Sequence, residues 1–105
     1  MAAVGPVLAL ASLLGAACSQ APSKPSDPVL SMGYDVFQAN CAACHGTTGD
    51  GAVGPKLKGV VSGRFPNIAD QVEVITNGRN TMPGWKDRLT AEQIEAVARY
   101  EREGL

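Results

Sequence analysis

The chain has little of what usually holds a small protein together. Among 105 residues there are one Trp, two Tyr and two Phe. Its three cysteines are an odd number, and Cys41 and Cys44 stand too close together to staple a fold, which argues against a disulfide framework. A single histidine and no second cysteine pair leave a structural zinc site short of its four ligands. Neither sign of charge dominates: nine Lys and Arg against ten Asp and Glu leave a formal net charge of −1. That balance lacks the basic face that displaces counterions from nucleic acid, so no nucleic-acid partner is expected. No segment alternates apolar and polar residues in the manner of a strand, and the expected class is all-α. A chain this short, with so few large apolar side chains, lies at the edge of folding on its own core. A metal or a large cofactor is left to supply buried surface.

What is present first is a leader. Residues 1–17 carry no charged side chain and are rich in Ala, Leu and Val, which reads as an export signal. The run is shorter than the roughly 20 apolar residues of a spanning helix. Leu14-Gly15-Ala16-Ala17 then meets Cys18. Small residues directly before a cysteine resemble the bacterial lipoprotein signal, in which the cysteine is lipidated and becomes the mature N-terminus. Gly15 stands where that signal favours leucine, and no Lys or Arg lies near the start. Cleavage after Ala17 with Cys18 incidental, and an uncleaved anchor, are the competing readings. Residues 18–31 form the candidate lipidated cysteine and a Pro/Ser-rich linker, with three prolines and four serines. Extended at about 3.1 Å per residue, such a linker reaches roughly 40 Å. Residues 32–105 are the expected folded domain.

Within that domain Ser31 is an expected N-cap for a first helix ending near Ala39 or Asn40. Residues 46–66 hold six glycines and two prolines, and are expected to loop. Asn67 caps an expected helix over 68–77, stopped by Asn77-Gly78. The last helix has the clearest start: Thr90 with Gln93 three residues on is a capping box, and Leu89 with Ile94 a hydrophobic staple. Ile94, Val97 and Ala98 define its apolar face, with Tyr100 and Glu101 at the edge.

Cys41-Ala42-Ala43-Cys44-His45 is the covalent attachment sequence for c-type haem. Two residues between the cysteines, in a helical turn, let both sulfurs reach the two vinyl groups of one porphyrin, and the histidine that follows lies under the iron. A thioredoxin-like dithiol would need a βαβ context that is absent here. For the second axial position there is no other histidine. Met1 lies in the leader, and Met32 precedes the attachment site on the helix that leads to it. Met82 stands in Asn80-Thr81-Met82-Pro83-Gly84-Trp85, a turn between two helices. Core filling is the usual fate of a methionine, but the Pro-Gly neighbours suit a rigid turn that aims the side chain.

With these motifs in place, residues 33–105 resemble a class I c-type cytochrome, the small monohaem electron carriers. Residues 74–100 are similar to the photosynthetic carriers of algae and cyanobacteria. The leader and charge are similar to those of membrane-attached cytochromes of Gram-positive bacteria. The resemblance implies a small all-α fold whose N- and C-terminal helices cross, with one covalent haem c. It implies that Cys41 and Cys44 bind the haem and that His45 and Met82 are the axial ligands of the iron. Pro55, in Gly54-Pro55-Lys56-Leu57, would accept the Nδ1–H of His45, and Gly33, Phe37 and Tyr100 would form the helix crossing. Leu57 and Trp85 join the expected haem contacts, Trp85 by packing.

Two side-chain ligands leave no vacant iron site, so the expected function is one-electron transfer between membrane complexes, not catalysis. The expected donor is a quinol:cytochrome c reductase-type complex, and the acceptor a terminal oxidase or photosynthetic reaction centre, with no small-molecule substrate. The alternative is a haem subunit held permanently in a dehydrogenase or oxidase. The expected location is the outer face of the cytoplasmic membrane or the periplasm, with a lipid anchor at Cys18.

Overall fold

A computed structural model describes residues 2–5 and 21–105. The leader and Cys18 therefore lie almost wholly outside the described residues. Five α-helices appear there: α1 (Pro28–Val36), α2 (Ala42–His45), α3 (Val61–Arg64), α4 (Ile68–Asn77) and α5 (Ala91–Glu103). No strand forms among the described residues; the one β-bridge joins Arg79 to Met82. The expected all-α class holds.

α1 begins earlier than the sequence suggested. Asp27, not Ser31, is the N-cap, and its carboxylate accepts from the amides of Val29 and Leu30, both at 3.0 Å. Pro28 follows at the first helical position, where a missing N–H costs nothing and φ is already set. Residues 28–31, assigned above to the linker, are thus the first turn of the domain. The helix also runs past Asn40. Between α1 and α2 the ladder slips to a π turn over Phe37–Cys41, with the Ala42 amide donating to Phe37 O. Asn40 Nδ2 donates to Val36 O at 3.0 Å and so occupies a carbonyl at the slip.

α5 packs chiefly on α1, with further contacts to α4 and α3. The α1–α5 crossing is built on Gly33. A Cβ there would lie 2.6 Å from Tyr100 Cβ and would strike the backbone of Ala96. Phe37 and Tyr100 are fully buried beside it, their rings 5.5 Å apart, and Tyr34 meets Tyr100 edge-on at 5.7 Å. The crossing expected of Gly33, Phe37 and Tyr100 is present.

The other boundaries fall where their caps put them. Asn67 accepts from Ala69 N to open α4, and Gly78, at φ +79°, closes it. Thr90 and Gln93 make both bonds of the capping box on α5; Ile94 lies in the core and Leu89, partly buried, packs against it. The glycine-rich segment loops as expected except for the single helical turn α3. Glu101 departs from the expected face: it is 7% exposed, inside the core and not at its edge.

Candidate functional site

The π turn adds one residue to the helical run, so the face presented to the core rotates just before the Cys41–His45 motif. Cys41 is buried while Cys44, three residues on, is exposed. His45, the last residue of α2, is 8% exposed. Gly46 then leaves the helix at φ +82°, and residues 46–60 fold back onto the motif. Gly51 N donates to His45 O at 2.8 Å, Gly54 N to Cys44 O at 2.6 Å, and Leu57 N to Gly49 O at 2.8 Å.

This return strand of loop delivers the Pro55 carbonyl to the imidazole. His45 Nδ1 lies 2.8 Å from Pro55 O. A carbonyl only accepts, so Nδ1 carries the proton and donates, leaving Nε2 as the ring nitrogen with a free lone pair. Gly54 makes the approach possible. A Cβ there would lie 2.9 Å from Cys44 O and 3.2 Å from both Cε1 and Nδ1 of the ring.

Met82 sits in a second constrained loop. Arg79 N donates to Met82 O at 3.1 Å, and Met82 N returns a bond to Arg79 O at 2.9 Å. The tight turn between them holds Asn80 at φ +53°, and Gly78 just before it is also at positive φ. Its far end is pinned to α4, with Trp85 N donating to Ile75 O at 2.9 Å. A Cβ on Gly84 would lie 2.8 Å from Thr76 O, so that pinning also requires glycine. Met82 and Trp85 are half-buried against the core that includes Cys41 and Leu57. The Arg88 guanidinium lies 5.3 Å from the Trp85 ring centre.

These residues suit a covalently attached porphyrin. One sulfur faces inward and the other outward within a single helical turn, and a buried imidazole has its proton fixed on the nitrogen away from any ligand. Phe65, Ile68, Val72, Met82, Trp85 and Leu89 pack against the core while keeping part of their surface uncovered, apolar area that a ring could bury. The Cys41 thiol is held protonated, pushed up to about 12 by burial first, then by Glu101 and Cys44. No cluster of three or more metal-binding side chains occurs among the described residues. A surface groove of about 680 Å³ between the α3–α4 junction and the end of α5 shares only Ile68 with the residues of this site and is not lined by Cys41, Cys44, His45 or Met82.

Sequence reasoning missed one buried polar network. Gln71 Nε2 donates to Glu101 at 2.9 Å and to Ala98 O at 3.1 Å, and Arg102 donates to Gln71 Oε1 at 3.1 Å. The register held a signal: Glu101 follows Ile94 by seven residues and Val97 by four, which places it on the apolar face.

Known proteins match this chain over the same region. The family described as cytochrome c oxidase, cbb3-type, subunit III, matches residues 29–100. A chloroplastic cytochrome c6 of Chlamydomonas reinhardtii is 38% identical over 78 residues, covering 68% of this chain and 51% of that protein. The cbb3-type oxidase subunit FixP of Azorhizobium caulinodans is 35% identical over 95% of this chain and 37% of its own. The chain thus spans about half of the first relative and less of the second. The crystal structure of cytochrome c6 from the diatom Phaeodactylum tricornutum superposes with a TM-score of 0.60 at 31% identity, covering 69% of this chain and 88% of that one.

Proposed function

The chain belongs to the c-type cytochrome family, in its small class I, monohaem form, and from that membership we propose that it carries single electrons between membrane redox complexes. Cys41 and Cys44 would hold one haem c through thioether bonds, and His45 Nε2 and Met82 Sδ would hold its iron. Bound there, the group supplies a one-electron couple, and a thioether ligand favours its reduced side.

The chain's own residues do the rest. Pro55 O keeps the His45 proton on Nδ1, so Nε2 stays a donor and the ring cannot rotate away. The reciprocal Arg79–Met82 bonds hold the thioether in a turn with few alternative conformations. Buried Leu57, and Trp85 packed against the same core, exclude water. With His45 and Met82 both holding the iron, this chain would leave no position for substrate or O₂, and the sequence has no second histidine to act as an acid or base there. The protein is on this reading not an enzyme. The observation that carries it is the His45–Pro55 bond, which prepares one nitrogen for a metal.

The full chain, expressed with haem attachment, tests this. Mass measurement should show one covalent haem, and the reduced protein should not bind carbon monoxide promptly. Prompt binding would mean an open iron position and a ligand-binding protein instead. The donor is a quinol:cytochrome c reductase-type complex, and the acceptor a terminal oxidase or a photosynthetic reaction centre. On this reading the protein is exported and held at the membrane by lipid on Cys18, supported by the small residues Gly15-Ala16-Ala17 directly before the cysteine. Cys18→Ser should move it to the soluble fraction or block its processing; wild type found wholly soluble would make Cys18 incidental.

A second reading has its own support. The matching family is an oxidase subunit, and the FixP relative aligns along 95% of this chain. A resident subunit of an oxidase would co-purify with it at fixed stoichiometry through salt washing, whereas a shuttle would wash away.

A further inference from the structure

α5 brings a carboxylate into the interior. Its buried face runs through Ile94, Val97 and Ala98 to Glu101, which is 7% exposed. A buried carboxylate is costly without a cationic partner or several donors. Glu101 has one donor here, the neutral Gln71 amide at 2.9 Å. The nearest cation in the network is spent elsewhere: Arg102 donates to Phe65 O at 2.7 Å, Gln71 Oε1 at 3.1 Å and Pro66 O at 3.4 Å. From the other elements packed on α5, no charge reaches in. On α1, Asp35 is an exposed partner of Lys24 and Tyr34 packs on the Tyr100 ring. On α3, Arg64 is exposed; α4 offers Gln71, and the π turn offers Cys41.

That last neighbour gives the carboxylate something to act on. Cys41 lies in the same buried core as Val97 and Ala98, which share the face of α5 with Glu101, and the nearby carboxylate joins burial in raising the thiol pKa. Once Cys41 is a thioether it no longer titrates, and the field of the carboxylate bears on the group it carries. We propose that Glu101 sets the reduction potential of the haem site and takes up a proton when that site gains an electron. This rests on the reading of Cys41 as a haem attachment residue.

The balance is simple. One electron arrives from the donor complex, one proton arrives from solvent, and the only bond formed is O–H on the Glu101 carboxyl. Oxidation reverses both. Ionised Glu101 favours the more positive, oxidised site and holds the potential down, whereas protonated Glu101 does not. Burial raises its pKa to about 7, against the lowering effect of the Gln71 bond, so the exchange falls within the working pH range. Between the pKa of the oxidised and of the reduced protein, the reduction equilibrium falls with pH, at most tenfold per unit, about 59 mV.

The test is a spectroelectrochemical titration of the haem-loaded full chain from about pH 5 to about pH 9, spanning the ordinary and the raised carboxyl range. Wild type should lose at least threefold in its reduction equilibrium across that span. Glu101→Gln should be flat and sit at the acidic wild-type value. Gln71→Met, which removes the only donor to the carboxylate, should keep the dependence and move it to higher pH. A wild-type slope that survives in Glu101→Gln would overturn the proposal and place the titrating group elsewhere, the haem carboxylates first. A flat wild type with haem attached overturns this proposal alone; a chain that carries no haem overturns the haem reading with it.

Discussion

His45 and Met82 are made into candidate ligands by different means. His45 is oriented by a hydrogen bond to Pro55 O, and Met82 by the backbone of a tight turn. Only Met82 follows the attachment motif. Met82→Ala should therefore abolish the weak sulfur-to-iron band of the oxidised protein and lower its potential, while Met32→Ala should leave both unchanged. Loss of the band in the Met32 variant would reverse the assignment. Glu101 carries a separate expectation for stability. Its pKa rises from 4.5 to about 7 on folding, so the unfolded chain ionises first as pH increases. The folded state is favoured fully below about 4.5, loses that advantage as pH rises to about 7, and is flat above. At 1.36 kcal/mol per unit the loss is about 3 kcal/mol. Denaturant unfolding of wild type and Glu101→Gln across this range should show the slope only in wild type.

At the scale of elements, the α1–α5 crossing is the joint most sensitive to one atom. Alanine in place of Gly33 gains about 1 kcal/mol of helix propensity. Its Cβ would meet the Ala96 backbone and Tyr100 Cβ at 2.6 Å, and neither can move without moving α5. Overpacking of this kind costs about 1–3 kcal/mol and more against fixed backbone, so Gly33→Ala should be net destabilising by about 2 kcal/mol. A variant as stable as wild type in thermal unfolding would show that the helices can separate freely. The cap on α5 is a milder dependence. Thr90→Ala removes one of the two capping-box bonds and should cost about 1 kcal/mol, with no change in potential, since Thr90 is exposed and remote in the network from His45.

Across the whole molecule the balance between core and chain entropy is narrow. The largest fully buried side chains are Tyr100, Phe37 and Val97, all at or beside one helix crossing. Six further apolar side chains, from Phe65 to Leu89, are only partly covered. Without a cofactor the chain should lack enough buried surface to offset its conformational entropy. The Cys41→Ala/Cys44→Ala apoprotein should thus show mostly disordered far-UV circular dichroism, and a cooperative thermal transition would contradict this.

Much of this was legible residue by residue, because it depends on local chemistry. Cys41, Cys44 and His45 are adjacent in the chain, the Asn67 and Thr90 caps act within three residues, and Gly78 stops α4 by its own backbone freedom. The sequence by itself therefore determined the all-α class and the caps of α4 and α5, and it supplied the attachment motif and the preference for Met82 over Met32 on which the proposed function rests. It misplaced the start of α1, since Asp27-Pro28 is as good a cap signal as Ser31 inside a Pro/Ser-rich run. Tertiary structure alone decided the rest. The π slip over Phe37–Cys41 has no composition of its own and is settled by what the rotated face packs against. Glu101 was placed only at the edge of the apolar face of α5, and its partner Gln71 comes from α4, thirty positions away in sequence. The register with Ile94 and Val97 hints at burial, but a carboxylate's hydrogen-bond partners are long-range by nature: they come from whichever helices close over it, and no local pattern encodes them.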